Sequence, residues 1–293
     1  MKLYTTNLGI ARQETSDIVT VLDIGEKTLD EVLQGGMGLD RLADAPSVVS
    51  CKLSELEVFS PVICPSKVFC MGANYHGHVA EMRQVLETLQ PDRVEELIAG
   101  TLKTPVFFGV PSSAIAGPFA DISVPEFARG QLDYEAELAV VIGKGGKNIS
   151  AEHAWDYVAG LTMSNDISAR DIQGEAMAGP QFEFAHAKGI DGFKPLGPSL
   201  VTVDEFNFPL DIKIEAKING EVRQTASTTE QVHDIPTCIS YISRFHTLRA
   251  GDVILTGSPA GVGYFQGQFL KEGDLMEMSA QGIGTIANKV KFS

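Results

Sequence analysis

The sequence predicts a mostly β protein of the α+β class, in which a β-sandwich or roll-like core carries outer helices and follows a small N-terminal α/β unit. Two observations predict the β core. From residue 105 onward, short strand-like runs dominate the chain, including ELAVVIG, LDIKIEAKING and GTIANKVKF. Turn signals such as GKGGKN, NGE and EGD separate these runs. We therefore expect sheets to form the core, with helices packed against them.

Residues 1–60 are predicted to form the small N-terminal domain. The run IVTVLDIG is typical of a strand that ends in a turn. Apolar residues at helical spacing follow it, and Gly35 and Gly36 close this short helix. The Pro-bounded stretch PVICP then predicts a linker into a main domain that covers residues 61–293.

A charged, helix-prone segment, about residues 74–104, follows the strand-like run KVFCMG. Its apolar residues fall at helical spacing, as at Val79, Met82 and Leu86, and Pro91 interrupts the pattern. This pattern favours an exposed helical hairpin, and a mobile lid is the alternative.

Two further helices are predicted within the β region. Ser150 is a candidate N-cap for the first, whose apolar face would run through Ala154 and Val158. Pro236 suits the first turn of the second. We expect Asp166 to follow the first of these helices, in a turn of small polar residues.

The composition disfavours several classes of partner. Of the 293 residues, 44% are hydrophobic and 21% charged, so the chain can bury a sizeable core. A net charge of −15 disfavours nucleic acid and anionic membranes, and a small anionic substrate would need a local positive centre.

The N-terminus lacks a signal peptide and no run is long enough to span a bilayer, which predicts a cytoplasmic protein. The four cysteines lack metal-binding spacing and are predicted to be reduced.

The stretch DYEAELAVVIG places three acids two residues apart at the start of an apolar strand. Because side chains alternate along a strand, Glu135 and Glu137 face the same side, about 6–7 Å apart. Two carboxylates on one face suit a hard cation such as Mg²⁺ or Mn²⁺, and a solvated edge strand is the alternative. A cation site needs a third ligand, for which Asp166 in SNDISARDIQ is the candidate. A turn at the end of a helix explains that stretch as well.

The stretch NYHGHVAEM provides a candidate acid–base pair. His78 and Glu81 are three residues apart and therefore neighbours on a helix. A carboxylate beside an imidazole orients the ring and raises its basicity, which suits water activation, and an ordinary surface pair is the alternative. Two Gly/Pro-rich loops, residues 187–198 and 255–263, lack phosphate-loop spacing, and the sequence contains no G-x-S-x-G elbow of a serine hydrolase.

Taken together and in order, these stretches resemble the fumarylacetoacetate hydrolase family from about Lys67 to the C-terminus. DYEAELAVVIG, SNDISARDIQ, the K-x-x-D-x-F-x-P-x-G-P stretch of residues 188–198 and TLRAGDVILTGSPAGVG carry the resemblance. The resemblance implies the β fold of the family. It also implies one Mg²⁺ or Mn²⁺ per subunit, bound by Glu135, Glu137 and Asp166.

The resemblance further implies roles for residues near a small anionic keto-acid substrate. It implies that His78 and Glu81 form a water-activating catalytic dyad on a lid, and that Lys188 is a further catalytic residue. A homodimer or a dimer of dimers is implied as well. The residues that would bind the substrate are Arg170, Gln173 and Ser258.

Several positions depart from the family pattern. Val110 stands where many members have a lysine, Ser258 replaces the usual threonine, and Gly77 stands where larger relatives supply a further aspartate ligand. Gly192 and Lys194 replace a threonine and a small or apolar residue. These differences affect the predicted substrate pocket and lid, so they leave the substrate open but not the metal.

The residues and the resemblance leave three hypotheses about function. The leading one is a divalent-metal-dependent hydrolase that cleaves a C–C bond in an acylpyruvate-like or fumarylpyruvate-like β-diketo acid, because the dyad can activate water. The alternative is a 2-keto acid decarboxylase or isomerase, of the oxaloacetate or 2-hydroxy-diene-dioate type, on the same fold. The third is a metal-dependent small-molecule binder without catalysis, against which the complete set of candidate site residues argues.

Overall fold

The computed structural model describes residues 1–178 and 184–293, and it confirms an α+β protein built on large sheets. The strands of this part of the chain are β1 (Lys2–Thr6), β2 (Gly9–Gln13), β3 (Ile18–Leu22), β4 (Ser47–Lys52), β5 (Val58–Phe59), β6 (Val68–Gly72), β7 (Val106–Val110), β8 (Ile115–Ala116), β9 (Ile122–Val124), β10 (Leu132–Asp133), β11 (Ala136–Ile142), β12 (Val158–Asn165), β13 (Ser168–Ala169), β14 (Lys194–Thr202), β15 (Lys213–Ile218), β16 (Glu221–Ser227), β17 (Val253–Leu255), β18 (Leu275–Ala280) and β19 (Gly284–Phe292). The helices are α1 (Leu29–Gln34), α2 (His76–Leu89), α3 (Val94–Lys103), α4 (Arg170–Ala178), α5 (Ala185–Lys188), α6 (Ile235–Phe245) and α7 (Gly263–Gln266).

Two sheets form the body of the molecule. The larger has twelve strands along the path β4-β3-β2-β1-β14-β12-β11-β17-β6-β7, with β5 paired to β1 and β8 paired to β14. The smaller has five strands in the order β16-β15-β18-β19-β9, and β10 and β13 form a separate pair. Strands β11 and β12 lie near the middle of the larger sheet, so residues at their ends are well supported.

Strand β11 is buried on both faces, which explains its continuous apolar run. Even-numbered side chains such as Leu138 pack in the core that also contains Ile214 of the five-stranded sheet. Odd-numbered side chains such as Val141 pack in a second core, to which helix α1 contributes. Glu135 and Glu137 share the parity of the second set, so strand alternation directs both carboxylates to one side of the larger sheet.

The first 60 residues contain strands β1 to β5 and helix α1. Thr28 caps this helix, and Glu31 completes the capping box. Strand β1 pairs antiparallel with β14, with Lys2 opposite Val201, so the N-terminal strands extend the larger sheet. The division into domains of residues 1–60 and 61–293 stays a prediction.

The segment of residues 74–104 is a helical hairpin, as the spacing predicts. Helices α2 and α3 are joined by a 3₁₀ turn that begins at Pro91. Val79, Val94 and Ile98 form a small apolar cluster between them. The motion of this segment as a lid stays a prediction.

The helix predicted after Ser150 is wrong in large part. Residues Ala151–Tyr157 form a 3₁₀ segment, the Ser150 side chain makes no capping hydrogen bond, and Val158 already begins β12. The run VAGLTMSN is paired on both sides, with β11 and with β14, and this pairing outweighs the helical pattern. Asp166 therefore follows a strand and not a helix. The second predicted helix is confirmed as α6.

Candidate active site

The three candidate metal ligands, Glu135, Glu137 and Asp166, meet where strands β11 and β12 pair, and we call them the acid triad. In the antiparallel register, Ala136 at the start of β11 lies opposite Asn165 at the end of β12. Carboxylate oxygens of the three acids all lie within 4.8 Å of one another, and all three side chains are buried. The pairing of the two strands therefore assembles the triad.

Main-chain contacts hold this junction. The amide of Asp166 donates to the carbonyl oxygen of Glu135 at 2.8 Å. The amide of Glu135 donates to the side-chain oxygen of Asn165 at 2.9 Å, and the hydroxyl of Ser168 donates to the carbonyl oxygen of Asp166 at 3.0 Å. These contacts fix the main chain from which the Glu135 and Asp166 side chains extend.

Lys188, the last residue of α5, lies between two of the acids. Its Nζ is 2.5 Å from Oε2 of Glu135 and 2.7 Å from Oδ2 of Asp166. Burial alone would lower the pKa of Lys188, but the attraction of Asp166 and Glu135 outweighs burial and raises the pKa. The side chain is therefore a charged ammonium within the triad.

Arg170, the first residue of α4, contacts the triad from another side. Its guanidinium donates to Glu135 and, at 2.8 Å each, to Asp133 and Gln173. Burial would lower the pKa of Arg170, but Glu135 and Asp133 raise it. Asp133 also accepts the amide hydrogen of Gly263 at 2.7 Å, so this acid anchors Arg170 to the first residue of α7.

The two glutamates of the triad differ electrostatically. Burial would raise the pKa of Glu135, but Arg170 and Lys188 outweigh burial and lower the pKa well below its usual range. For Glu137, burial and repulsion by Asp166 and Glu135 outweigh the attraction of Lys188 and raise the pKa well above its usual value. The ionised form is therefore favoured at Glu135 and disfavoured at Glu137 in the absence of a further cation.

His78 and Glu81 form a hydrogen-bonded pair on α2. Nδ1 of His78 lies 3.1 Å from Oε2 of Glu81, and Oε1 of Glu81 accepts the amide hydrogen of Gly261 at 2.8 Å. The two side chains are only 13% and 17% exposed, which argues against a solvated surface pair. The ring of His78 packs against Phe265 with ring centres 5.6 Å apart.

The loop after β17 connects the triad to helix α2. Its Gly257 amide donates to Glu137 at 2.6 Å, and its Gly261 amide is the donor to Glu81. Gly257 has a φ of +95°, and a Cβ there would lie 2.6 Å from the Cβ of Asn74. Only glycine allows this close approach of the loop to the segment that precedes α2.

Ser258, on the same loop, is held by Gln224, a residue that the motifs do not indicate. Nε2 of Gln224 donates to Oγ of Ser258 at 2.9 Å, and Oε1 of Gln224 accepts the amide hydrogen of Ala136 at 2.9 Å. Since Ala136 lies between the two glutamates, one side chain joins the loop to the strand that carries them. Gln224 is 1% exposed on a strand with exposed neighbours, but the sequence does not reveal that burial.

Lys194 is a second residue whose contact with the site the motifs do not reveal, because the sequence marks it only as a departure from the family pattern. Its side chain is 0% exposed, and its Nζ lies 2.7 Å from Oδ1 of Asp166. The sequence gives one signal of this contact, a lysine between Phe193 and Pro195 at the start of a mostly apolar run. Lysine is rarely buried unless it is paired, so a lysine in a buried strand predicts a partner.

The donor set of the triad fits a hard divalent cation. All three candidate ligands are carboxylates, the donors that Mg²⁺ and Mn²⁺ prefer. Among the residues that the structure describes, Oδ1 of Asp166 makes an ion-pair contact with Lys194 but receives no directed hydrogen bond. Burial and the repulsion of Asp166 and Glu135 raise the pKa of Glu137, and a cation bound at the triad would favour the ionised form of this acid.

All nine predicted site residues lie in one connected set of contacts, although their roles stay predictions. Seven of them make direct side-chain contacts with another member of the set, while Glu137 and Ser258 join it through the loop after β17. The nine are His78, Glu81, Glu135, Glu137, Asp166, Arg170, Gln173, Lys188 and Ser258.

Comparison with known proteins assigns this arrangement to a family. A family sequence model described as fumarylacetoacetate (FAA) hydrolase C-terminal matches residues 67–291. The chain belongs to the fumarylacetoacetate hydrolase family. This finding confirms the resemblance that the motifs indicate, and it supports an enzyme of this family.

Relatives within the family carry the names of different reactions. A mitochondrial oxaloacetate tautomerase of Bos taurus is 39% identical over 269 residues, which cover 90% of this chain and 80% of that protein. The structure of a 5-carboxymethyl-2-hydroxymuconate delta-isomerase from Mycobacterium smegmatis matches with a TM-score of 0.75 at 30% identity, over 100% of both chains. The structure of a fumarylacetoacetate hydrolase from psychrophilic Exiguobacterium antarcticum matches with a TM-score of 0.77 at 34% identity, also over 100% of both chains.

The predicted location and assembly are not decided by these comparisons. Within residues 1–178 and 184–293, no helix combines the length and the apolar character that crossing a membrane requires. The cytoplasmic location stays a prediction, and the Bos taurus relative is named as mitochondrial.

Proposed function

We propose that this protein is a divalent-metal-dependent tautomerase of small anionic 2-keto acids of the oxaloacetate type. The observation that carries the proposal is the buried acid triad, with Lys188 directly on it and with the His78–Glu81 pair connected to it through the loop after β17. The tautomerase of Bos taurus supports this reaction, since it shares 39% identity with the chain whereas the named hydrolase shares 34%. Of the hypotheses from the sequence, the proposal therefore favours the 2-keto acid isomerase over C–C hydrolysis.

Keto–enol interconversion moves one proton off a carbon and another onto the neighbouring oxygen, or the reverse. When the triad holds a divalent cation, that cation supplies electrostatic stabilisation of the negative charge that develops on the 2-keto acid. His78 is the group that takes the proton from carbon, because the hydrogen bond of its Nδ1 to Glu81 leaves Nε2 as the acceptor. The Gly261 amide fixes Glu81 in turn, so the ring keeps one orientation.

Lys188 is the group that stabilises the keto oxygen of the substrate. Its pKa is raised by two carboxylates, so it carries a proton and donates a hydrogen bond to an oxygen that gains negative charge. His78 takes the proton from carbon, and the oxygen that Lys188 stabilises receives a proton that His78 returns directly or through solvent, so the net reaction consumes no water and releases no fragment.

A second candidate function is hydrolysis of a C–C bond in an acylpyruvate-type or fumarylpyruvate-type acid. The His78–Glu81 pair favours it, because a base with one available ring nitrogen can activate water as well as a carbon acid. The named hydrolase from Exiguobacterium antarcticum supports this candidate. The two reactions differ in their products, which an assay can separate.

The test follows oxaloacetate in deuterated buffer by nuclear magnetic resonance, with Mg²⁺, Mn²⁺ or a chelator. We expect divalent-dependent exchange of deuterium into the methylene carbon, faster than with the metal alone or with the Glu135→Gln variant, and without loss of a carboxyl group. Release of pyruvate and carbon dioxide would indicate a decarboxylase, and cleavage of an acylpyruvate would indicate the hydrolase. Deuterium exchange with the wild type that is no faster than with the Glu135→Gln control would contradict the proposed tautomerase activity.

We also infer a homodimer or a dimer of dimers, which the family resemblance supports. Light scattering at working concentration measures this directly. A mass near 31.5 kDa, that of one chain, would contradict it.

A further inference from the structure

Lys194 is a buried cation that neither the fold nor the proposed reaction explains. It opens strand β14, and its side chain is 0% exposed. An unpaired ammonium in such a place would strongly destabilise the protein. The groups that contact Lys194 therefore indicate what it does.

The partners of Lys194 come from the segments that carry the site. Its Nζ lies 2.7 Å from Oδ1 of Asp166, and it donates to the carbonyl oxygens of Ile167 and Phe193 at 3.2 Å each. It also donates to the carbonyl oxygen of Lys188. One ammonium thus joins the end of β12, the start of β14 and the last residue of α5.

Asp166 consequently has one cation at each carboxylate oxygen, Lys188 at Oδ2 and Lys194 at Oδ1. Lys188 also reaches Glu135, whereas the ion pairs found in the described part of the chain join Lys194 to Asp166 alone. We propose that Lys194 is a positioning residue: it orients the Asp166 carboxylate toward the other two acids and fixes the end of α5 so that Lys188 reaches the triad. This inference rests on the metal site of the proposed function.

A positioning role and a simple charge effect predict opposite changes in metal affinity when Lys194 is removed. A fixed positive charge beside a divalent cation repels it, so loss of the charge alone would strengthen metal binding. Loss of a group that orients a ligand weakens metal binding, by about 10–100-fold for residues that support metal ligands. The sign of the change in affinity therefore separates positioning from charge.

The experiment titrates the full-length protein with Mn²⁺ alone, by calorimetry or by the electron paramagnetic resonance signal of the unbound ion. Lys194→Met removes the ammonium at nearly constant volume, and we expect the Kd for Mn²⁺ to rise about 10–100-fold. Lys194→Gln restores an N–H donor without the charge, and its Kd should lie between those of Lys194→Met and the wild type.

Lys67→Met is the matched control. Lys67 pairs with Asp252 at 2.7 Å, and the carbonyl oxygen of Asp252 accepts the amide hydrogen of Ile142, at the end of β11 opposite to the triad. This variant should leave the Kd for Mn²⁺ unchanged even where it lowers Tm. Equal loss of Mn²⁺ affinity in Lys67→Met and Lys194→Met would overturn the proposal, because general destabilisation would then explain both.

Unchanged or tighter Mn²⁺ binding by Lys194→Met would also overturn the proposal. Circular dichroism checks the fold, and Lys194→Gln is judged by the same criterion if Lys194→Met does not fold. A wild type that binds no Mn²⁺ would overturn this inference together with the metal site of the proposed function. A wild type that binds Mn²⁺ but lacks tautomerase activity would overturn the proposed reaction only.

Discussion

The acid triad and the helical hairpin of residues 74–104 use the same kinds of charged residue in opposite ways. In the triad, Lys188 lies 2.5 Å and 2.7 Å from two carboxylates, and its side chain is 5% exposed. In the hairpin, Arg83 pairs with Glu95, whose side chain is 83% exposed. Ion pairs in solvent contribute little to stability, whereas buried charges destabilise a protein unless each is well paired.

This difference indicates where the chemistry lies. Apolar residues of the same volume often stabilise a fold as well as buried ion pairs do, so the triad and its cations are poorly explained by stability. Perturbed pKa values of the kind found at Glu135 and Glu137 cluster at functional sites. The hairpin contributes to the site through one short stretch, in which His78 and Glu81 are largely buried.

The largest effect should come from the triad itself. Glu135→Gln removes one carboxylate of the cation site and one partner of Lys188, so we expect it to abolish divalent-dependent activity while the fold is largely retained. Activity assays with and without Mg²⁺ or Mn²⁺ measure this effect. Glu96→Gln, which alters an exposed glutamate paired with Arg93 in the hairpin, is the matched control and should remain active. Unchanged activity in Glu135→Gln would end the assignment of the metal site.

The next largest effect should come from the buried part of the hairpin. His78→Ala removes the proposed proton acceptor, and loss of such a group typically lowers the rate about 10²–10⁴-fold. We expect kcat to fall by that order while the affinity for Mn²⁺ is unchanged, since His78 is not a predicted ligand. Steady-state kinetics and a Mn²⁺ titration on one preparation check both. Wild-type kcat in this variant would show that His78 and Glu81 are only a structural pair.

The sequence predicts the chemical groups of the site more fully than the local structure around them. The common face of Glu135 and Glu137 follows from strand geometry alone. The helical spacing before Asp166 misleads, because pairing of β12 with two neighbouring strands imposes an extended chain there. Lys194 could not be assigned a role from spacing, since its acceptors include main-chain carbonyls brought together only by the fold.

A buried acid outside both regions tests whether the burial of a carboxyl group has a measurable effect on stability. Burial raises the pKa of Asp30 above its usual 3.8, although the amides of Ile63 and Cys64 oppose the shift. Because the pKa is raised in the folded state, the stabilising contribution is present below the usual pKa and is lost as the pH rises through the raised value. Asp30→Asn cannot ionise, so its Tm relative to the wild type should increase from about pH 4 to about pH 7. Parallel Tm curves for the two proteins would contradict this expectation.

The smallest effect should come from the exposed ion pair of the hairpin. Arg83 contacts both carboxylate oxygens of Glu95, and this contact raises the pKa of Arg83 and lowers that of Glu95, yet the pair lies in solvent that screens it. Arg83→Met should therefore change neither Tm nor kcat measurably, whereas the same substitution at Lys188 should remove activity. Thermal denaturation and steady-state kinetics at low and high salt compare the two variants. A fall in kcat for Arg83→Met that high salt reproduces in the wild type would mean that the pair holds the hairpin over the triad, and the two regions would then depend on each other.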